Sequence, residues 1–246
     1  ALEEPVFSFY KLTIKVKKQI VADGLSIDDY DITNVGSHLN AKQWNDAIDK
    51  GATVVDMRNH YESEIGHFKG AILPEAETFR EELPMVEEVL RGKEDENILL
   101  YCTGGIRCEK ASAYLKHKGF SSVNQLYGGI INYVHDVNKN GLENKFIGKN
   151  FVFDNRLSER ITDDVVSNCH QCGEPFDCHT NCKNLNCNLL FIQCDQCKKK
   201  FKNCCSRECI EVTSLSNSEQ KKWRAGKENK KMFHSHRKVD LKNKLE

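Results

Sequence analysis

Hydrophobic and polar positions along this chain predict short strands that alternate with amphipathic helices. Apolar runs typical of strands buried in a parallel sheet lie at residues 53–57, 97–101 and 122–126. Helical patterns of apolar residues lie at residues 41–49, 79–91, 109–118 and 130–138. Because strands alternate with helices, we expect an α/β fold built on a doubly wound parallel sheet.

Capping and helix-breaking residues set the limits of the predicted helices. Asn40 is a good capping residue for the first helix, and Gly51 is expected to end it. Pro84 lies inside the second helix, and we expect a break there because proline lacks an N–H group. Residues 9–17 alternate apolar and polar side chains, which predicts a half-buried strand, whereas residues 24–40 are polar and loop-like.

One loop combines a cysteine, two glycines and an arginine between a predicted strand and a predicted helix. It comprises Cys102, Thr103, Gly104, Gly105, Ile106 and Arg107. The glycines let the backbone curl with its N–H groups pointing inward, beside a helix N-terminus, and both features favour a bound anion. A cysteine there is expected to be a nucleophilic thiolate. A buried structural cysteine is the alternative, but the spacing and context favour catalysis.

Four polar residues follow the predicted strand 53–57, namely Asp56, Arg58, Glu62 and His67. In a parallel sheet, polar groups at the end of a strand often fix the loops around a site. We interpret these four as a structural hydrogen-bond network rather than as direct catalysts, because such groups usually satisfy buried backbone.

Cys108 follows the loop and has two possible roles. It is a candidate resolving thiol for an oxidised or persulfidated Cys102. It is equally compatible with a residue at the start of a helix that faces the core. The sequence favours neither role.

Composition and charge narrow the class of protein. The 246 residues carry a formal net charge of zero, so the whole chain is not an obvious binder of polyanions. No apolar run approaches the roughly 18–20 residues that a membrane span needs, and the start lacks a signal-peptide pattern. We therefore expect a cytoplasmic protein without membrane contacts. Because the chain opens at Ala1 without Met, we expect it to be processed or truncated.

Ten of the twelve cysteines lie between Cys169 and Cys209, where clustered pairs favour metal binding over disulfides. The pairs are Cys169 and Cys172, Cys182 and Cys187, Cys194 and Cys197, and Cys205 and Cys209. They suit two tetrahedral structural zinc sites, arranged either as a cross-brace of alternate pairs or sequentially. Reduced thiols without metal are the alternative. Cys178 and Cys204 are left over, and His170 and His179 are possible substitutes for a cysteine.

The segment from residue 216 to residue 246 is polar and basic. It holds ten Lys or Arg against four Asp or Glu, and Trp223 and Phe233 are its large aromatic residues. A basic helix that contacts RNA phosphates is one interpretation. A solvated tail is the interpretation that we favour.

Residues 35–140 resemble a rhodanese domain. The resemblance rests on residues 56–58 with Glu62, residues 66–71, the loop that starts at Cys102, and residues 126–130. More narrowly, residues 102–110 resemble the rhodanese-domain tRNA uridine hydroxylase family, as do residues 151–156 and the cysteine-rich segment. The resemblance implies four regions: a remnant of an N-terminal ferredoxin-like domain with a linker (1–30), the rhodanese domain (31–145), a zinc-binding region (146–215) and a basic tail (216–246).

The resemblance implies oxygen-dependent 5-hydroxylation of the wobble uridine of certain tRNAs, with Cys102 as the required cysteine and O2 as co-substrate. No flavin, iron or 2-oxoglutarate motif is visible, so the sequence does not explain how oxygen is activated. A sulfurtransferase that carries a persulfide on Cys102 is the main alternative. A binding module without catalysis is a third hypothesis, and the presence of Cys102 argues against it.

Overall fold

The computed structural model describes residues 14–16, 21–26, 29–226 and 241. Two compact units divide the chain. The α/β unit runs to Phe151 and adds Arg160–Asp163, and the cysteine-rich unit comprises Val152–Glu159 and the residues from Asp164 onward. The strand predicted over residues 9–17 lies largely outside the described residues, as does the basic segment beyond residue 226 apart from residue 241.

Helices and strands alternate through most of the described residues. The strands are β1 (Ser37–Leu39), β2 (Thr53–Asp56), β3 (Gly66–Phe68), β4 (Asn97–Tyr101), β5 (Ser122–Leu126), β6 (Phe146–Phe151), β7 (Ser158–Arg160), β8 (His179–Asn181) and β9 (Leu190–Ile192). The helices are α1 (Ala41–Asp49), α2 (His60–Ser63), α3 (Phe79–Val89), α4 (Ile106–His117), α5 (Gly129–Asn140), α6 (Asp195–Lys200), α7 (Arg207–Ser214) and α8 (Asn217–Arg224).

Four strands of the α/β unit form a parallel sheet in the order β1-β5-β4-β2. Successive residues of a strand face opposite sides of the sheet, so each side has its own core. Ile98 of β4 packs in one cluster with Leu83 of α3 and Leu115 of α4. The next residue, Leu99, packs in a second cluster with Trp44 of α1. The prediction of an α/β fold with a parallel sheet is confirmed.

Two predicted helix limits need correction. The helix α3 continues through Pro84, although a break was expected there. Pro84 and Arg80 are both exposed, so the carbonyl that loses its N–H partner lies on the solvent side, while Leu83 and Val86 anchor the helix in the core. The helix α4 begins at Ile106, three residues earlier than predicted, because Gly105 adopts a left-handed conformation and ends the loop there.

Other predicted elements match the structure closely. Asn40 forms a capping box with Gln43 at the start of α1, and Gly51 follows the end of that helix.

The strand β1 was missed because it has three residues and lies within a polar segment that was expected to be a loop. The antiparallel pair of β3 with β6 was also missed.

The cysteine-rich unit contains little regular structure. Strands β8 and β9 form an antiparallel pair, and the short helices α6, α7 and α8 follow them. The basic segment begins with α8, whose start is fixed by a capping box between Ser216 and Glu219. Among the described residues, we find no helix with the length and apolar character needed to cross a bilayer.

Candidate active site and metal centres

Cys102 is the first residue after the central strand β4, and its side chain is buried with 2% exposure. Its sulfur accepts a hydrogen bond from the backbone N–H of Gly105 at 3.1 Å. The backbone N–H groups of Arg107 and Cys108, in the first turn of α4, also help to lower the pKa of Cys102. The curled loop therefore surrounds the sulfur with N–H donors at a helix N-terminus, as the sequence predicts.

The start of α5 braces this loop from the other side. The N–H of Ile130 donates to the carbonyl oxygen of Cys102 at 3.0 Å, and that of Ile131 donates to the carbonyl of Thr103 at 3.2 Å. A Cβ atom at Gly129 would lie 2.5 Å from the Cys102 oxygen, so only glycine permits this approach. The sequence showed Gly129 only as a turn residue, and its contact with the loop was not foreseen.

The thiol of Cys102 is acidic. A hydrogen bond from the Cys108 side chain, the charge of Arg107 and the backbone N–H groups lower the pKa of Cys102 to about 5, against the opposing effect of burial. Burial and the neighbouring Cys102 sulfur raise the pKa of Cys108 well above its usual range. At neutral pH Cys102 is therefore a thiolate and Cys108 is a neutral thiol that donates to it.

Arg107 and Glu62 form a two-bond ion pair beside the loop. Arg107 Nη1 donates to Glu62 Oε2 at 2.6 Å, and Nη2 donates to Oε1 at 2.9 Å. The Thr103 hydroxyl also donates to Glu62 Oε1, at 3.2 Å. Burial acts to raise the pKa of Glu62, but the charge and hydrogen bonds of Arg107 outweigh it and lower that pKa. Glu62 thus fixes the guanidinium whose charge stabilises the thiolate.

Asp56 and Arg58 form a second, fully buried ion pair. Arg58 Nη2 donates to Asp56 Oδ2 and to the carbonyl oxygen of Gly66, both at 2.7 Å. The Tyr101 hydroxyl donates to Asp56 Oδ2 at 2.7 Å. His67 Nδ1 lies 2.9 Å from the carbonyl oxygen of Ser63. These contacts join β2, β3 and β4, and the role of Asp56, Arg58, Glu62 and His67 as a structural network stays a prediction.

Three exposed apolar side chains border the loop. Ile106, Tyr127 and Ile131 are 52%, 59% and 53% exposed. Ile106 starts α4, Ile131 lies in the first turn of α5, and Tyr127 follows β5, next to β4 in the sheet. The ring of Tyr127 meets His38 edge-on, with 6.1 Å between centroids. Gly104 completes the loop, and a Cβ there would meet no atom within 4 Å.

The eight paired cysteines form two groups of four. Cys169, Cys172, Cys194 and Cys197 make one group, and Cys182, Cys187, Cys205 and Cys209 make the other. Within each group the sulfur atoms lie within 4.8 Å of one another. The structure thus brings together alternate pairs, as in the cross-brace, and not neighbouring pairs as in the sequential arrangement.

The sulfur spacing suits zinc. A tetrahedral ion with Zn–S bonds of about 2.3 Å requires sulfur atoms about 3.8 Å apart. Cys172 and Cys194 lie 3.6 Å apart, as do Cys187 and Cys205. Each group could hold a metal ion, and four cysteine ligands leave no open position for water.

The cysteines and histidines of the cysteine-rich unit that belong to neither group of four have other contacts. Cys178 Sγ lies 3.8 Å from Asp177 Oδ1, and Cys204 Sγ lies 3.5 Å from the Thr213 hydroxyl. His170 Nδ1 accepts a hydrogen bond from the N–H of Ile192 at 3.4 Å. Among the described residues, each group of ligand atoms consists of cysteines alone, and neither includes His170 or His179.

Two models of known protein families match separate parts of the chain. Residues 40–136 match the family model of the Rhodanese-like domain, and residues 147–210 match the model described as Rhodanase C-terminal. Residues 40–136 thus form a rhodanese-like domain. This domain carries the Cys102 loop, and the second match contains all eight paired cysteines.

Curated relatives resemble the chain beyond the rhodanese-like domain. A protein of Leptospira interrogans serogroup Icterohaemorrhagiae serovar Lai (strain 56601), named tRNA uridine(34) hydroxylase, is 57% identical over 97% of this chain and 65% of its own length. A protein of the same name from Yersinia pestis (strain Pestoides F) is 54% identical over 93% of this chain and 65% of its own length. The chain thus spans 65% of the length of these relatives.

Solved structures are similar to part of the chain. The crystal structure of the Alr3790 protein from Anabaena sp. is 20% identical and covers 45% of this chain and 91% of that chain, with a TM-score of 0.36.

Proposed function

We propose that this protein hydroxylates C5 of the wobble uridine of tRNA, with O2 as co-substrate and Cys102 as the chemical centre. The observation that carries the proposal is the identity of 57% over nearly the whole chain to a relative named tRNA uridine(34) hydroxylase. The geometry supports it, because a buried thiolate lies in a loop bordered by exposed apolar side chains. tRNA is then the partner, and the cytoplasm is the expected location.

The roles proposed for the site residues follow from their contacts. The Cys102 thiolate acts as the nucleophile, and N–H groups of the loop hold its charge. Arg107 stabilises that charge, and Glu62 positions Arg107. Thr103, Gly104 and Gly105 form the loop itself, and Ile106, which was predicted to belong to it, begins α4. Asp56, Arg58 and His67 are proposed to support the loop through the strands beneath it.

Cys108 also stays a candidate resolving thiol. If a peroxide oxidises Cys102 to a sulfenic acid, the Cys108 thiol can attack its sulfur, form a disulfide and release water. The two cysteines lie in one apolar cluster, and each shifts the pKa of the other.

Sulfur transfer is the second candidate function. The N–H groups that hold a thiolate would also hold the terminal sulfur of a persulfide, which is an anion as well. The intact mass of the protein after incubation with thiosulfate distinguishes this function. A mass gain of one sulfur atom at Cys102 supports it, and an unchanged mass argues against it.

Mass spectrometry of wobble nucleosides tests the proposed function. In a strain that lacks the gene, we expect nucleosides derived from 5-hydroxyuridine to disappear from tRNA. The intact gene should restore them, and the same gene with Cys102→Ser should not, because a hydroxyl is hardly ionised at neutral pH. Since the replacement is nearly isosteric, the variant protein should accumulate normally. An unchanged nucleoside pattern in the deletion strain would refute the proposal.

Tyr127 is proposed to stack on a base of the tRNA anticodon loop. Stacking of a base on an aromatic side chain is worth about 1–3 kcal/mol. We therefore expect Tyr127→Ala to weaken binding of an anticodon stem-loop by about 5- to 150-fold, as measured by fluorescence anisotropy. Tyr127→Phe keeps the ring and should bind like the wild type. Equal affinity of the alanine variant would exclude this contact.

We further propose that each group of four cysteines holds one structural zinc ion. The support is the sulfur spacing and the all-cysteine composition of both groups. The ions would stabilise a unit in which the apolar clusters of the described residues consist largely of the cysteines themselves.

A further inference from the structure

Two buried glutamines connect the two groups of four cysteines. The first group comprises Cys169, Cys172, Cys194 and Cys197, and the second comprises Cys182, Cys187, Cys205 and Cys209. Gln171 lies in the loop from Cys169 to Cys172, and Gln193 directly precedes Cys194. The two glutamines are 7% and 2% exposed. Since buried amides are normally hydrogen-bonded, the partners of these side chains indicate their role.

The side-chain amides form a chain of hydrogen bonds that ends next to the second group. Gln193 Nε2 donates to Gln171 Oε1 at 2.8 Å, and Gln171 Nε2 donates to the backbone carbonyl oxygen of Cys204 at 3.0 Å. Gln193 Nε2 also donates to that carbonyl, at 3.4 Å. Cys204 directly precedes Cys205, which belongs to the second group. The chain of hydrogen bonds thus runs from both loops of the first group to the peptide that leads into the second.

The chemistry of the partners fixes the direction of these hydrogen bonds. A carbonyl oxygen only accepts, so the amide nitrogen of Gln171 faces Cys204 and its amide oxygen faces Gln193. Gln193 Oε1 has no hydrogen-bond partner among the described residues, so this side chain contributes here as a donor. Cys204 is fully buried, and its sulfur lies 3.5 Å from the Thr213 hydroxyl. The two amides therefore fix the backbone at Cys204, beside a cysteine of the second group.

We propose that Gln171 and Gln193 couple the two groups, so that zinc in one group strengthens zinc binding in the other. With zinc bound, the first group holds both loops that carry the glutamines, which places two donors for the Cys204 carbonyl. That carbonyl in turn orients the peptide to Cys205, a ligand of the second group. Coupling between two binding sites is reciprocal, so zinc in the second group strengthens the first by the same factor. The inference rests on the proposed zinc sites and is independent of the proposed reaction.

The backbone links the two groups as well. Helix α6 leads from the first group toward Cys204, and the N–H of Lys183, next to the second group, donates to the carbonyl oxygen of Asn203 at 2.9 Å. These links remain when a glutamine is replaced, so a comparison of variants isolates the contribution of the amides.

Native mass spectrometry of the whole chain tests the coupling, because it counts the chains that hold no, one or two zinc ions. The metal-free, reduced protein is supplied with half of the zinc that fills both groups. Two equal and independent sites then leave about half of the chains with one ion, whereas coupling by about 5- to 150-fold lowers this share to about 10–30%. We expect the lower share in the wild-type protein.

Replacing either glutamine should raise the share of chains with one ion toward half. Gln171→Met and Gln193→Met keep the length of the side chain and remove its amide. Both variants should still take up two ions in excess zinc, and if one of them cannot be filled, the other gives the comparison. Gln196→Met is the matched control, because Gln196 has the position in the loop 194–197 that Gln171 has in the loop 169–172 but is exposed. It should match the wild type.

Two outcomes would overturn the proposal. The first is an equal share of one-ion chains in the wild type and in a glutamine variant that fills with two ions, which would leave the zinc sites in place and exclude coupling through the amides. The second is a wild-type chain that binds no zinc, which would refute the zinc sites and the coupling with them. Neither outcome depends on hydroxylation of tRNA.

Discussion

Replacing Cys169 with serine is expected to remove one metal ion and to unfold the part of the cysteine-rich unit that packs around it. Cys169 is almost fully buried, and its sulfur accepts a hydrogen bond from the N–H of Cys194 at 3.3 Å. Binding of structural zinc is worth about 10–16 kcal/mol in zinc-finger peptides, whereas a whole domain is stable by only about 5–15 kcal/mol. Among the described residues, the apolar cluster around this group contains Phe176 and Phe201 besides its cysteines, which is too little apolar surface to replace the metal.

Zinc content and limited proteolysis measure this effect. We expect about two zinc ions per wild-type chain and about one in Cys169→Ser. Cleavage should become rapid within the cysteine-rich unit, while the rhodanese-like domain, which has its own cores, should resist it. Cys178→Ser is the control, because Cys178 is exposed and belongs to neither group. Full zinc content and unchanged cleavage in Cys169→Ser would contradict the assignment.

Local sequence patterns predicted those parts of the fold that depend on local interactions. The apolar strands and the helix cap at Asn40 are examples, because a run of neighbouring residues determines each of them. The same holds for the thiolate loop, where Gly105 and the following helix supply the N–H donors to Cys102. The spacing of the cysteines predicted four pairs but not which two pairs share a metal site, because that depends on how the chain folds back.

Contacts between distant segments were not predictable in this way. Strand β3 has three residues, and its partner β6 follows about 80 residues later, so no local pattern connects them. The requirement for glycine at position 129, at the start of α5, arises from the Cys102 carbonyl, which lies in the loop after β4. The burial of Glu82 could have been predicted from the sequence, because Glu82 lies three residues after Phe79 and four before Val86, on the apolar face of the predicted helix.

Breaking the ion pair of Arg107 and Glu62 is expected to affect both stability and chemistry. Without Arg107, Glu62 would be left as an unpaired carboxylate in the core. Its side chain has 0% solvent exposure, and Arg107 supplies two of its hydrogen bonds. Removing one partner of a buried pair typically costs about 3–5 kcal/mol. Arg107→Met should therefore lower the free energy of unfolding by about that amount in urea denaturation.

The same substitution removes a positive charge that holds the thiolate. The pKa of Cys102, about 5 in the wild type, should rise in Arg107→Met. Iodoacetamide modifies only the thiolate, so the rate of alkylation at pH 6 should fall, and the pH at half-maximal rate should move upward. Arg91→Met is the control, because Arg91 pairs with Glu88 on the exposed side of the protein, and such pairs contribute about 0–1 kcal/mol.

A double substitution separates the two roles of Arg107. Arg107→Met together with Glu62→Leu removes both charges, so no unpaired carboxylate is left in the core and much of the lost stability should return. The pKa of Cys102 should remain raised, because the guanidinium is still absent. If the double variant regained both stability and thiol acidity, Arg107 would act only by offsetting Glu62. If it regained stability alone, the charge of Arg107 would be shown to act on the nucleophile itself.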